Sequence, residues 1–204
     1  MTLLAGKVFA DADAALADLA DGASLAWGGF GVAGAPLALM QAVVRGTATD
    51  VEIIANNGAL SEWSMAPLLE QGRVRRVVAT HIGGNRDLQR TFLAGEVEIE
   101  LTPQGTFAER LRAVGHGIPA FFAPTGAGTF VETGGLPQRY GPEGVVVRWS
   151  RPREVRELVP AGELEPDDVH LPGLFVDGIV EVGSSGKWIE QRTTRPRSTP
   201  PRGG

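Results

Sequence analysis

Residues 24–45, SLAWGGFGVAGAPLALMQAVVR, decide the fold class of this chain. Ser24–Trp27 has the apolar character of a buried strand, and a glycine-rich loop follows it. Pro36 then stands where helices accept a proline as their first residue, and Leu37–Arg45 continues as an apolar helical segment. A strand, a glycine loop and a helix in this order indicate one unit of an α/β fold.

The same alternation of strand and helix continues on both sides of this unit. The residue patterns predict strands at 51–55, 75–80, 97–101, 120–123, 145–148 and 174–180. They predict helices at 11–19, 61–70, 85–94 and 106–114, with a turn at 103–105 and a loop at 124–138. Parallel neighbours need crossover connections that usually contain a helix. We therefore expect an open, mainly parallel sheet with helices on both faces.

The composition excludes several classes of protein. A chain of 204 residues with 43% apolar content is long and apolar enough to fold around a core. No long uninterrupted apolar run occurs and the first 22 residues carry four aspartates, so we expect no membrane span, no secretory signal and a cytoplasmic location. The absence of cysteine excludes disulfides, thiolate zinc sites and a cysteine nucleophile.

The net charge of −5 is unevenly distributed along the chain. Residues 191–204 contain four arginines and no acidic residue, which leaves −9 on the rest. A nucleic-acid site would have to lie in this terminal stretch, which is too short and too rich in proline to fold as a binding module. We therefore expect no nucleic-acid partner.

The order of predicted elements and the composition of the final residues predict a single α/β domain, residues 1–182, and a basic, proline-rich tail, residues 183–204.

The glycine loop contains a pattern that dinucleotide-binding proteins use. Gly29, Gly31 and Gly34 satisfy G-x-G-x-x-G between a strand and a helix. That fingerprint also requires an acidic residue at the end of the second strand, where this chain has Asn56 and Asn57. A dinucleotide-dependent oxidoreductase therefore stays an alternative function. The other interpretations are a loop that lets a different ligand approach the backbone, and a turn that binds nothing.

Polar residues also follow the second and fourth predicted strands. Asn56 and Asn57 lie at the carboxyl end of a strand, where ligands of open α/β sheets bind, although an ordinary Asn-Gly turn explains them too. Gln104 follows the fourth strand just before a helix, and its amide could hold a developing oxyanion or serve only as a polar turn residue. The three histidines do not stand at metal-ligand spacing, so we expect no metal site.

Several motifs together resemble the A subunit of the family I coenzyme A transferases, the 3-oxoacid group. The resemblance is carried by DGASLAWGGFGVAGAP at residues 21–36, IANNG at 54–58, FLAGEVEIELTPQGT at 92–106 and GIPAFFAPTG at 117–126. It runs from Lys7 to about Arg156, with Trp27 in place of the small or aliphatic residue usual there. Residues 159–173 and 189–197 are similar to the final segments of the family.

The resemblance implies a CoA-transferase fold of the NagB-like type, and the exchange of CoA between an acyl-CoA, with succinyl-CoA expected, and a 3-oxo acid. In this family a glutamate of the B subunit carries the acyl group as an anhydride and then carries CoA as a thioester. The Ser-Glu-Asn-Gly motif of that glutamate is absent from this chain, so the resemblance implies activity only in a complex with the B subunit.

The resemblance also assigns roles to residues. Gln104 would support the oxyanion. The loop residues that shape the substrate and CoA site would be Gly28, Gly29, Phe30, Gly31, Gly34, Asn56 and Asn57. Coenzyme A would be a substrate, and no further cofactor is implied.

The chain departs from the family pattern after Arg156. The family has a further strand-rich stretch there with an Ala-Arg-Asn-Phe-Asn-like motif, and its absence predicts an internal deletion near residues 154–158 that shortens the carboxyl-terminal part. Loss of interior strands would leave apolar edges and sheet faces uncovered. A non-catalytic remnant or an interaction protein is therefore the other alternative function.

Overall fold

The computed structural model describes residues 8–31, 33–57, 66–157 and 187–192. The helices of these residues are α1 (Ala12–Ala15), α2 (Leu37–Arg45), α3 (Ala66–Glu70), α4 (Arg86–Leu93), α5 (Gln104–Gly115) and α6 (Phe130–Thr133). The strands are β1 (Ser24–Trp27), β2 (Val51–Ala55), β3 (Val74–Ala79), β4 (Glu98–Leu101), β5 (Ala120–Ala123), β6 (Pro137–Tyr140), β7 (Val146–Trp149), β8 (Val155–Glu157) and β9 (Lys187–Arg192). The chain forms two compact units, Met1–Gln104 with Pro137–Trp149 and Gly105–Leu136 with Ser150–Gly204.

A four-stranded parallel sheet forms the centre of the first unit. The strand order is β1-β2-β3-β4, and each strand is parallel to its neighbours. The chain adds each strand beside the previous one, through connections that contain α2, α3 and α4 in turn. The predicted α/β class with a mainly parallel sheet is confirmed.

One face of this sheet carries the apolar core of the first unit. Side chains alternate between the two faces of a strand, so every second residue of a strand contributes to the same face. The core residues on or beside the strands and on α3 and α4 are Val51, Ile53, Ala55, Val77, Ala79, Val97, Ile99, Leu68, Leu69 and Leu88. Each large apolar side chain contributes roughly 1.5–3 kcal/mol when it is fully buried. This packing fixes the sheet, and with it the starting points of the loops that leave the strands.

The opposite face carries a buried ionic cluster, which we call the Arg76 cluster. The Arg76 guanidinium has Nη1 3.0 Å from Glu52 Oε1 and Nε 3.2 Å from Glu98 Oε1, and it also pairs with Glu100. All three glutamates are buried, and Nη1 of Arg148 on β7 lies 2.7 Å from the second carboxylate oxygen of Glu98. The strand register sets Glu52, Arg76 and Glu98 side by side. Charged side chains therefore connect three strands on this face.

The hairpin of β6 and β7 belongs to the same unit. The two strands are antiparallel. The rings of Phe92 on α4 and Tyr140 on β6 meet edge to face, with centroids 5.0 Å apart and an interplanar angle of 81°, a geometry that aromatic pairs prefer.

In the second unit, β9 pairs in antiparallel fashion with both β5 and β8. Strand β9 falls within the residues predicted as a tail, and the division of the chain at residue 182 stays a prediction.

Two predicted boundaries are wrong for local reasons. Helix α5 begins at Gln104, whereas the pattern predicted a turn at 103–105 and a helix from 106. Glycine costs conformational entropy in a helix, but Gly105 lies at the start of α5, and burial of Phe107 and Ala113 stabilises the helix. The predicted loop at 124–138 contains α6 and the start of β6. The Thr129 side chain caps α6 by accepting a hydrogen bond from the Val131 N–H.

Other predicted elements are shorter or lie outside the described part of the chain. The first helix covers Ala12–Ala15 rather than residues 11–19. The beginning of the helix predicted at 61–70 and the strand predicted at 174–180 fall outside the described residues. Among the described residues, no helix is long and apolar enough to cross a lipid bilayer.

The beginnings of β1 and β2 are joined by a pair of reciprocal hydrogen bonds. The Thr49 N–H donates to Oδ1 of Asp21 at 2.7 Å, and the Gly22 N–H donates to the Thr49 carbonyl at 2.8 Å. The bond from the Thr49 backbone holds the pKa of Asp21 below the ordinary aspartate value. A carboxyl whose pKa is lower in the folded chain adds stability above its unfolded pKa, and that stability is lost as the pH falls through the folded pKa.

We expect Asp21→Ala to lower the melting temperature at neutral pH and to have a smaller effect in acid. The wild-type carboxyl is then protonated and has lost its advantage as a charged acceptor. Thermal melts at a series of pH values check this, with Asp18→Ala as the control for removal of an exposed aspartate from the same region. A melting difference for Asp21→Ala that is independent of pH would contradict the assignment.

Candidate active site

The sequence-predicted site residues lie at one edge of the parallel sheet. The glycine loop follows β1, Asn56 and Asn57 follow β2, and Gln104 follows β4 after two further residues. The carboxyl ends of parallel strands share one edge, where ligands of open α/β sheets bind. Adjacent strands are about 4.8 Å apart, so the ends of β2 and β4 are separated by roughly 10 Å. The site is therefore a row of loops that one extended ligand could span.

The glycine loop is a tight hairpin with an aromatic residue at its base. Phe30 and Ala33 exchange two backbone hydrogen bonds of 2.9 Å and 3.1 Å. Gly31 lies inside this turn with φ +61°, in the left-handed region that glycine adopts without strain. The Phe30 side chain is 78% exposed. The hairpin thus holds an apolar ring in solvent beside the carboxyl end of β1, where it is available to a ligand or a partner chain.

Gly29 is the position in this loop that space restricts most. Its φ is +125°, and a Cβ there would lie 3.1 Å from the Cα and 3.2 Å from the Cβ of Ala35. Only glycine allows the loop and the start of α2 to approach so closely. At Gly28, Gly31 and Gly34, a Cβ would meet nothing within 4 Å.

The end of β2 is held by the residue that follows β3. The Asn56 carbonyl oxygen accepts one hydrogen bond from the Thr80 N–H at 2.9 Å and a second from Oγ1 of Thr80 at 2.5 Å. Asn57 and His81 form one further parallel bridge beyond the ends of the two strands. Sequence reasoning missed Thr80. The signal that could have found it is its position, since it follows β3 as Asn56 follows β2.

Gln104 is exposed and is the first residue of α5. The N–H groups in the first turn of a helix have no intrahelical acceptor, and the positive end of the helix dipole lies there. The carboxamide therefore stands at a helix terminus that favours negative charge. This position agrees with the predicted support of an oxyanion, which stays a prediction.

The described residues of the loops at this edge supply hydrogen-bond donors. Among the described residues of these loops, which are 28–31, 33–36, 56–57, 80–84 and 102–103, none is an aspartate or a glutamate, whereas Glu62 falls in residues 58–65, outside the described part of the chain. Among the described residues, no three histidine or carboxylate side chains are grouped closely enough to hold a metal ion. The donors at this edge can stabilise developing negative charge.

Comparison with known proteins identifies relatives over almost the whole chain. Residues 9–152 match the coenzyme A transferase family. The A subunit of a probable succinyl-CoA:3-ketoacid coenzyme A transferase from Mycobacterium tuberculosis is 39% identical, over 93% of this chain and 99% of the relative. The corresponding A subunit from Xanthomonas campestris is 36% identical, over 93% of this chain and 94% of the relative. The mitochondrial transferase 2A of Rattus norvegicus is 34% identical over 93% of this chain, which spans 47% of that protein.

Solved structures show the same fold. An acyl-CoA transferase apoenzyme from Escherichia coli O157:H7 superposes with a TM-score of 0.60 at 19% identity, and covers 91% of this chain. This chain spans 32% of the length of the Escherichia coli chain. A cysteine-to-serine variant of the decarboxylase AibA/AibB superposes with a TM-score of 0.57 at 20% identity, over 91% of this chain and 58% of the other.

The alignments also show that this chain is shorter than its relatives. The alignment with the Mycobacterium tuberculosis protein is 245 residues long but uses 93% of a 204-residue chain, or about 190 residues. About 55 positions of the relative, the difference between 245 and 190, therefore have no counterpart here. A deletion within this chain would make it shorter than its relatives, as is observed. The location of the deletion near residues 154–158 stays a prediction.

The family match leaves the dinucleotide-binding interpretation of the glycine loop without support, because the loop lies within the matched residues 9–152. The predicted resemblance to the A subunit of a 3-oxoacid transferase is confirmed by the relatives. This chain belongs to the coenzyme A transferase family.

Proposed function

We propose that this chain is the A subunit of a two-subunit enzyme that moves CoA between an acyl-CoA, with succinyl-CoA as the expected donor, and a 3-oxo acid. The observation that carries the proposal is the carboxyl edge of the sheet, where the described residues include the hydrogen-bond donors Asn56, Asn57 and Gln104. Relatives that align with this chain over 94–99% of their own length are named as the A subunit of such an enzyme, which supports the division of labour between two chains.

The proposed reaction begins on a glutamate of the B subunit. Its carboxylate attacks the thioester carbonyl, the C–S bond breaks, and an acyl-glutamyl anhydride forms while CoA leaves as the thiolate. The thiolate then attacks the glutamyl carbonyl, which releases the first carboxylic acid and leaves a glutamyl-CoA thioester. The same steps in reverse, with the 3-oxo acid as nucleophile, give the new acyl-CoA. No oxidation state changes, so the proposal includes no redox cofactor, and CoA is a substrate.

The residues of this chain would act on the negative charge that develops in each addition step. The carboxamide of Gln104 would donate to the oxyanion, where one preorganised donor typically contributes a factor of roughly 10²–10³ in turnover. Asn56, Asn57 and the glycine loop would close the site on the side opposite the glutamate of the B subunit. Phe30 would contact the substrate or the partner chain.

Co-expression with a B subunit of this family tests whether the shortened chain still assembles. Size exclusion with light scattering gives the mass of the purified complex, and we expect stoichiometric amounts of both chains. Transfer of CoA from succinyl-CoA to a 3-oxo acid is then assayed for the complex and for each chain alone. An aggregated or partnerless chain would favour the non-catalytic remnant.

Gly31→Val is expected to lower the turnover of the complex about tenfold, because a β-branched residue is strained in the left-handed region. Space is not the reason, since a Cβ at Gly31 would meet nothing within 4 Å. Gly31→Asn serves as the matched control, because asparagine tolerates this conformation. Steady-state kinetics of both variants check the prediction. Equal loss in the two variants would indicate that the side chain, and not backbone strain, disturbs the loop.

A further inference from the structure

Thr80 makes two hydrogen bonds to the same acceptor, and only one of them belongs to the sheet. Its N–H donates to the Asn56 carbonyl oxygen at 2.9 Å, which continues the pairing of β2 with β3. Its Oγ1 donates to the same oxygen at 2.5 Å and lies 3.5 Å from Oδ1 of Asn56. The backbone bond alone already satisfies the carbonyl. The hydroxyl is therefore an additional constraint on the peptide group between Asn56 and Asn57.

The constraint acts at the point where the chain leaves the strand. Threonine is β-branched and has few side-chain rotamers, so a hydroxyl bonded in this way resists rotation of the peptide plane. The orientation of that plane sets the directions in which the side chains of Asn56 and Asn57 leave the end of β2. On the far side, the Thr102 N–H donates to the Ala79 carbonyl at 2.9 Å, so the β3 end itself is held by the β4 end.

We propose that Thr80 is a positioning residue that aims the Asn56–Asn57 segment at the reacting centre, an inference that rests on the proposed function. Thr80 acts through the peptide and needs no contact with substrate. Small displacements of a donor from a reacting atom reduce turnover more than they reduce substrate binding, because the strongest interaction forms in the transition state.

The test compares Thr80→Val and Thr80→Ser in the complex with the B subunit. Valine keeps the shape and the strand preference of threonine but has no hydroxyl, whereas serine keeps the hydroxyl. We expect Thr80→Val to lower kcat about tenfold with a much smaller change in KM. We expect Thr80→Ser to restore most of the loss. A serine variant as impaired as the valine variant, or a valine variant with wild-type kcat, would overturn the inference.

Thr91→Val is the matched control for loss of a threonine hydroxyl elsewhere. Oγ1 of Thr91 donates to the Asp87 carbonyl at 2.9 Å within α4, away from the carboxyl edge of the sheet. This variant is expected to lower the melting temperature as much as Thr80→Val, or more, and to keep wild-type kcat. A kcat for Thr91→Val as low as that of Thr80→Val would show that loss of stability alone lowers turnover, and would overturn the inference.

A second readout separates this inference from the proposed function. Amide resonances of Asn56 and Asn57 in nitrogen-15 NMR spectra report the orientation of the segment without any assay of transfer. Thr80→Val is expected to shift or broaden them, and Thr80→Ser to leave them near the wild-type positions. Unchanged resonances in Thr80→Val would overturn the positioning role. A wild-type complex that transfers no CoA would overturn the proposed function, while the resonances would still decide the role of Thr80.

Discussion

Gln104→Ala is expected to lower the turnover of the assembled enzyme by roughly ten- to a thousandfold, because in the proposed function the variant removes a donor to the developing oxyanion. Gln104 is exposed at the first position of α5 and follows β4 at the ligand-binding edge of the sheet. Alanine is a good helix former, so the helix should persist. The loss should therefore appear in kcat, with little change in the mass of the complex.

Gln41→Ala is the control for removal of an exposed glutamine from a helix. Gln41 lies on α2, within the helix and away from the strand ends. The control is expected to retain wild-type turnover. Steady-state kinetics of the two variants decide the question. If Gln104→Ala turned over at the wild-type rate, the assignment of oxyanion support to Gln104 would be wrong.

Arg76→Met is expected to lower the free energy of unfolding of the chain by roughly 3 kcal/mol or more, because it removes the guanidinium that three buried carboxylates share. Glu52, Glu98 and Glu100 surround this guanidinium, and all three are buried. The Arg76 side chain itself is 22% exposed, so solvent screens part of its interaction with the glutamates. We therefore expect a loss of stability at the lower end of the range that is usual when one partner of a buried ion pair is removed.

Denaturation in urea measures this loss, and two further variants calibrate it. Arg148→Ala removes an arginine that is 58% exposed and pairs with Glu98, so its effect should be about 1 kcal/mol or less. Combining Arg76→Met with Glu98→Gln and Glu100→Gln should recover part of the stability, since two of the three negative charges that Arg76 neutralised become neutral amides. If Arg76→Met cost no more than Arg148→Ala, the Arg76 cluster would not stabilise the sheet.

The parts of the fold that depend on local pattern could be predicted from the sequence. Strands β1 to β4 are short segments separated by helical segments, and their alternation predicts a parallel order without knowledge of the contacts. The start of α4 could also be predicted, because asparagine is a preferred residue immediately before a helix. In the structure the Asn85 side chain accepts a hydrogen bond from the Leu88 N–H. The position of the candidate site follows from the same order, since ligands bind at the carboxyl ends of such strands.

The parts that depend on register could not be predicted in this way. Glutamate alternates with apolar residues in β4, and two arginines follow Val74 in β3, a composition typical of a sheet face in contact with solvent. The structure buries the glutamates, because Arg76 stands between Glu52 and Glu98 across three strands. Thr80 was missed for the same reason, since its hydroxyl matters only beside Asn56, 24 residues earlier in the chain.

Glycine and threonine content misled the prediction of two helix boundaries. The run from 124 to 138 is rich in these residues and reads as a loop, yet a threonine cap begins α6 and Gly134, at φ +79°, ends it. Gly105 suggested a turn, although it lies at the start of α5. Short helices defined by their caps carry too little apolar periodicity to be recognised from pattern alone.

The division of labour between two chains is tested most directly by locating the covalent intermediate. The complex with the B subunit is incubated with succinyl-CoA without acceptor, and the intact mass of each of the two chains is then measured. We predict that the B subunit gains CoA, less one water, as a thioester and that this chain keeps its original mass. A CoA adduct on this chain, or none on either chain of a stable complex, would contradict the account.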